Sequence, residues 1–115
     1  MAKYQRSFTG DFDDTLRFCD ATIAGGSVSA SLEDMSNMQL GDVRVAVRVY
    51  ERYSYLGGNR VSMNLTLAGS GRNLSISVIT SGGSQAMFFK INTFGEEAFL
   101  DTLASALDDY INRQR

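Results

Sequence analysis

The 115-residue sequence has no histidine, no proline and no tryptophan, and its single cysteine is Cys19. Without histidine, the Ser-His and Cys-His nucleophile systems and the usual zinc sites are excluded. A single cysteine cannot form an intramolecular disulfide. Its place among apolar helical positions favours a small buried hydrophobe over a reactive thiol. No Walker loop or dinucleotide-binding fingerprint is present. We therefore expect no enzymatic activity and no cofactor.

A strong charge of one sign and long apolar runs are also missing. The net charge is −2 and the sequence pI is about 4.9, so the overall balance does not predict binding to nucleic acid or to an anionic membrane. No run of about 18 apolar residues predicts a membrane span, and the N-terminal segment lacks a signal-peptide pattern. These observations predict a cytoplasmic, bacterial-type protein without membrane or nucleic-acid partners.

What is present predicts a single domain over residues 1–115, because 43% of the residues are hydrophobic and no linker-like segment divides the chain. Two helices follow from apolar residues at helical spacing. The first, over residues 11–24 and stopped by Gly25-Gly26, carries one stripe: Phe12, Leu16, Cys19 and Ile23. The second helix begins near Thr93, which has capping-box spacing with Glu96. It carries its own apolar stripe: Leu100, Leu103, Leu107 and Ile111.

Period-two alternation predicts strands near residues 3–9, 27–32, 43–50, 61–67 and 74–78. In the third of these strands, the four valines at positions 43, 45, 47 and 49 are expected to face the core. Its alternating polar residues would then face outward. Glycines at residues 57–58, 69 and 71 suit hairpin turns. Residues 84–92 fit either a further strand, with Met87, Phe89 and Ile91 inward, or a loop.

The predicted fold class is α+β, in the order strand, helix, four strands, helix. Each helix has one apolar stripe and the antiparallel sheet has one apolar face, so both helices should cover that face and leave the other open. This topology resembles one repeat of the TATA-binding-protein fold and, more loosely, the helix-grip ligand carriers. A likeness of fold does not define a function.

Three stretches of sequence also carry a family resemblance: residues 43–53, residues 57–62 and residues 80–100, with their SGGSQ and FFKINTFGEEAFL strings. Together they resemble a group of uncharacterised bacterial proteins of about this length, known only as a domain of unknown function. The resemblance extends over nearly the whole chain. It implies no activity, cofactor or catalytic residue.

Two functional hypotheses follow. The first is a non-enzymatic interaction module, most simply a homodimer, that associates through a strand edge or through the open sheet face. Small hydroxyl side chains on that face allow close approach, although they also suit a solvated surface. The candidate residues are Arg44, Arg48, Tyr50, Ser62, Asn64, Thr66, Ser75 and Ser77. With Arg52, the two arginines could instead form a phosphate-binding line, but a solvated face with local ion pairs is the favoured interpretation.

The alternative hypothesis is a carrier of a small apolar ligand, with a pocket between the sheet and the helices. Its lining would be Met63, Met87, Phe88 and Phe99, because methionine and phenylalanine form adaptable apolar walls. The same residues also suit a filled core. A large cavity would favour the carrier, and a filled core with a symmetric contact would favour the interaction module.

Overall fold

The computed structural model describes residues 2–26, 30–54, 59–82 and 89–113; the side chains of residues 26, 53, 54, 59 and 89–98 are left out of the description. The elements in chain order are β1 (Ala2–Thr9), α1 (Phe12–Gly26), β2 (Ser31–Leu40), β3 (Val43–Ser54), β4 (Asn59–Ser70), β5 (Asn73–Gly82) and α2 (Phe89–Arg113). The predicted α+β class and its order of strand, helix, four strands and helix are confirmed.

The five strands form one antiparallel sheet in the order β1-β5-β4-β3-β2. Gly41 and Gly71 begin the β2–β3 and β4–β5 turns with φ values of 61° and 60°, a backbone conformation that glycine adopts without steric cost. Of the predicted turn glycines, Gly69 lies within β4, and residues 57–58 fall outside the part of the chain described here.

The core lies between one face of the sheet and the two helices. Helix α2 packs on β1, β5 and β4, and α1 packs on α2 and β4. Neither helix packs extensively on β2, so the helix layer covers only part of the sheet. We call the covered side the helix face and the opposite side the open face.

Helix α1 confirms the predicted apolar stripe. The carboxylate of Asp11 caps it by accepting a hydrogen bond from the Asp14 backbone N–H at 2.8 Å. Three residues of the stripe are buried, namely Phe12, Cys19 and Ile23. The fourth, Leu16, is partly buried and packs against the core. Burial raises the pKa of the Cys19 thiol to about 12, and the neighbouring Asp20 charge adds to this shift. The cysteine is therefore a packing residue in this fold.

Helix α2 confirms the second stripe but begins at Phe89, four residues before the predicted cap at Thr93. Leu100, Leu103, Leu107 and Ile111 are all buried. Capping-box spacing marks a helix start only where the preceding backbone leaves helical geometry, and residues 89–92 are helical. The prediction of a strand or a loop is therefore wrong for these four residues, and residues 84–88 lie outside the described chain.

Strand β3 has the opposite orientation to the one predicted from its valines. Ala46, Arg48 and Tyr50 are buried on the helix face, whereas the valines at 43, 45, 47 and 49 are half-buried on the open face. The cause is the register with β4, in which Arg48 pairs with Leu65 and Tyr50 with Met63. Partners across an antiparallel pair share a face, and the fully buried β4 residues determine which face that is.

Strand β2 lies further along the chain than the alternation of residues 27–32 predicts. Residues 27–29 fall outside the described chain, and the strand runs from Ser31 to Leu40. All ten of its residues are exposed. Both faces of β2 are exposed, so its sequence does not alternate between apolar and polar residues over its whole length. A sequence-based prediction therefore has no period-two signal with which to detect this strand.

Candidate interaction surface

Edge strand β2 carries four of the five large hydrophobic side chains that are exposed in the described chain. These are Leu32 (46% exposed), Met35 (49%), Met38 (55%) and Leu40 (82%). Met35 lies on the helix face opposite Arg48, and Met38 lies on the open face opposite Val45. The backbone groups on the outer side of β2 face away from β3, its only neighbour among the strands that the structure describes. We call this strand with its exposed side chains the β2 edge.

The two halves of the β2 edge differ in their protection against strand addition. The register with β3 shifts between Leu32 and Asp34, which marks a bulge, and this end carries the acidic residues Glu33 and Asp34. Bulges and charges are the devices by which proteins block pairing at sheet edges. Residues 35–40 have neither, since they are Met, Ser, Asn, Met, Gln and Leu in continuous register.

The other edge strand, β1, is better protected. It carries the charged residues Lys3 and Arg6, and α2 packs along it. The Tyr4 hydroxyl and the Arg6 guanidinium both donate to the Asp108 carboxylate at 2.6 Å. Together these hydrogen bonds hold the pKa of Asp108 below its usual value, despite some desolvation. Of the two sheet edges, β2 is therefore the one open to a further strand.

The open face is divided into an apolar and a hydroxyl-rich half. On β4 and β5, the structure places the predicted candidates Ser62, Asn64, Thr66, Ser75 and Ser77 on this face. On β2 and β3, the same face carries Met38, Leu40 and the four valines. The prediction of a polar open face is therefore wrong for β3, whose valines lie there, and this apolar half of the open face adjoins the β2 edge.

The other three candidates, Arg44, Arg48 and Tyr50, lie on the helix face and not on the open face. Arg44 forms a two-point ion pair with Asp13 of α1, at 2.9 and 3.1 Å, and its guanidinium lies over the Phe12 ring. Arg52 likewise lies over the Phe99 ring. Long side chains with polar tips thus reach from β3 toward the helices. A basic line on the open face is excluded.

Arg48 joins β3 to the edge strand. Only 6% of its surface is exposed, and its Nη1 donates to Asn37 Oδ1 at 3.0 Å, to Val47 O at 3.0 Å and to Ser36 O at 3.4 Å. Two of these acceptors belong to β2. A buried guanidinium requires such partners, and here they hold the middle of the β2 edge against β3.

Tyr50 of β3 and Asp20 of α1 form a polar pair. The Tyr50 hydroxyl donates to the Asp20 carboxylate, and burial raises the pKa of Asp20 although the Arg48 charge opposes the shift. A half-open cavity of about 270 Å³ adjoins them, lined by Asp20, Ile23, Ala24, Ala30, Leu32 and Tyr50. Sequence reasoning missed this cavity, because it depends on the reversed orientation of β3.

The structure describes only half of the residues that are predicted to line a carrier pocket, so that pocket stays a prediction. Met63 and Phe99 are almost fully buried in the core, and the candidates Met87 and Phe88 lie outside the described chain. In that same part of the chain, no group of three His, Cys, Asp or Glu side chains could hold a metal ion. None of the helices there is long and apolar enough to cross a membrane.

Together, fold and surface define a small α+β protein with two helices on one sheet face and, within the residues that the structure describes, one sheet edge without protection against strand addition. The chain belongs to DUF6054, a family of unknown function whose sequence profile matches residues 1–111. No curated protein and no solved structure matches the chain. The expected likeness to the TATA-binding-protein fold thus stays a prediction.

Proposed function

We propose that this protein is a non-enzymatic interaction module that self-associates through the β2 edge. The observation that carries the proposal is the exposure of all ten β2 residues, four of them large and hydrophobic, at a sheet edge. Exposed apolar side chains beside unpaired strand backbone are the features that strand addition uses.

The partner in this proposal is a second copy of the chain. An antiparallel strand pair requires alternating donors and acceptors on both strands, and two copies of one edge provide them. A two-fold contact of this kind is also the commonest form of homo-oligomer. The net charge of −2 gives only weak repulsion between copies. The proposal assigns no role to nucleic acid, a membrane or a cofactor.

Sedimentation equilibrium over a range of protein concentrations tests the proposal. We expect a dimer for the parent and a dissociation constant raised at least about tenfold for Met38→Lys, because an edge lysine opposes strand addition. Gln5→Lys is the matched control, since Gln5 is exposed on the open face of the other edge strand. A monomeric parent at high concentration contradicts the proposal, and so does equal weakening by both substitutions.

A second candidate function, carriage of a small apolar ligand, is supported by the cavity beside Asp20 and Tyr50. Its volume of about 270 Å³ lies just below the range of roughly 300–1,000 Å³ that is usual for ligand pockets. Titration with benzyl alcohol, followed by the methyl NMR signals of Ala24 and Ala30, tests it. Saturable shifts that are lost in the cavity-filling variant Ala24→Trp support carriage, and their absence excludes this probe class.

A further inference from the structure

We propose that two copies pair antiparallel along residues 34–40 of β2, with Asn37 opposite the partner's Asn37. This inference rests on the proposed self-association and specifies its geometry. A two-fold axis perpendicular to the sheet would pass between the two asparagines. The result is one continuous ten-stranded sheet, in which the helices of both copies lie on the same face.

The position of the bulge selects the centre of the pairing. Between Leu32 and Asp34 the β2 register shifts, so the regular part of the strand runs from Asp34 to Leu40. A two-fold pairing uses the whole of this segment only when its middle residue, Asn37, lies on the axis. Any other centre leaves regular strand unpaired or brings the bulge into the contact.

The acidic end of β2 favours the same register. With Asn37 at the centre, Asp34 lies opposite the partner's Leu40, and the two Asp34 residues are six positions apart, about 20 Å along the strands. With Met35 at the centre, they would be offset by only about 7 Å along the strands and lie about 8 Å apart, which is comparable with the screening length of about 8 Å at physiological salt. Repulsion between like charges therefore disfavours registers centred near the acidic end.

Asn37 is also suited to a position on the axis. Its Oδ1 accepts from Arg48 Nη1 at 3.0 Å, which fixes the orientation of its amide. The amide nitrogen carries two donors, and the oxygen keeps a second lone pair, so two such groups can hydrogen bond to each other. A polar pair at a symmetric position specifies the register of an association, as buried asparagine does in coiled coils.

Single-cysteine variants test this register. Cys19 is fully buried and burial raises its thiol pKa to about 12, so disulfide formation is confined to the introduced cysteine. Opposite residues have Cα atoms about 4.5–5.5 Å apart, which a disulfide can span. We expect Asn37→Cys to form a covalent dimer under mild oxidation.

The matched variants are Met35→Cys and Gln39→Cys, which are exposed on the same face of the same strand. In the proposed register each of these lies about 13 Å from its own copy but opposite the other residue. We expect little cross-linking of either variant alone and efficient cross-linking when the two are mixed. The unmodified chain, which should stay uncross-linked, is the background control.

Two failures can be distinguished. If sedimentation shows a dimer but Met35→Cys or Gln39→Cys cross-links better than Asn37→Cys, the register is wrong and self-association stands. A dimer in which none of the variants and no mixture cross-links overturns pairing through β2. A monomeric parent overturns both the register and the proposed function.

Discussion

Met35 and Met38 are three positions apart along β2 and therefore lie on opposite faces of the sheet. Met35 is opposite Arg48 on the helix face, and Met38 is opposite Val45 on the open face. A strand that pairs with the β2 edge approaches both side chains. A surface that stacks on the open face approaches Met38 alone. The two methionines therefore distinguish edge pairing from face stacking.

We predict that Met35→Lys and Met38→Lys both weaken self-association, whereas Asn64→Lys does not. Asn64 is exposed in the middle of the open face, on β4, so a lysine there opposes only face stacking. Sedimentation equilibrium measures all three, with thermal melting as the control for folding. Weakening by Met38→Lys and Asn64→Lys, with Met35→Lys unaffected, would instead assign the contact to the open face.

Leu103→Ala should destabilise the protein by about 2–5 kcal/mol, the usual cost of removing a buried leucine side chain. Leu103 is 1% exposed on the α2 stripe that packs against the sheet. Leu40→Ala makes the same chemical change at a residue that is 82% exposed in the monomer, and at concentrations where the chain is monomeric it should leave stability nearly unchanged. Denaturant unfolding measures both. Equal effects of the two substitutions would contradict the observed packing of α2.

Asp108 should contribute to stability at neutral pH and lose this contribution in acid. Its hydrogen bonds from Tyr4 and Arg6 lower its pKa from the usual 3.8. A carboxyl group with a lowered pKa in the folded state stabilises the fold above its unfolded pKa, and this stabilisation is lost as the pH falls through the folded value. Asp108→Asn should therefore melt below the parent at neutral pH.

The difference in melting temperature between Asp108→Asn and the parent should shrink as the pH falls below about 4. Thermal melts at a series of pH values check this, with the exposed neighbour Asp109→Asn as the control. A difference that is independent of pH would show that the substitution acts through packing and not through the carboxylate charge.

Arg48→Gln should loosen β2 without unfolding the sheet. The shorter amide cannot reach the β2 acceptors Ser36 O and Asn37 Oδ1, to which the guanidinium now donates. We expect faster hydrogen exchange of the β2 amides, with β5 amides much less affected because β5 lies between two strands and under α2. Uniform acceleration across both strands would indicate global destabilisation.

The sequence predicts the parts of the fold that bury one complete face. Leu65, Ile76 and Leu107 belong to uninterrupted apolar patterns, and each is buried as expected. In β3, the alternation does not predict which face is buried. Its valines alternate with side chains whose aliphatic or aromatic parts can also be buried. There the register with β4 decides the orientation, and that register is a long-range property.

The candidate surface was only partly predictable for the same physical reason. The hydroxyl residues of β4 and β5 follow directly from the buried pattern on the same strands. In β2, only Met38 and Leu40 alternate around Gln39, which is too short a signal to identify a strand exposed on both faces. Its exposure becomes evident only when the extent of the helix layer is known.

The pairing of β1 with β5 constrains how the protein folds. Strands β2 to β5 are each adjacent in sequence to their neighbours, but β1 must reach β5 across the chain, with Ala2 opposite Thr80. Closing so large a loop has a high entropic cost, which slows the pairing of β1 with β5. We therefore expect the four-stranded meander of β2 to β5 to form first and β1 to pair with it later. Until then the outer edge of β5 is also open, and the β1 of another copy can occupy it. At high concentration, refolding would then yield oligomers that exchange β1 between copies, whereas the proposed dimer pairs β2 with β2.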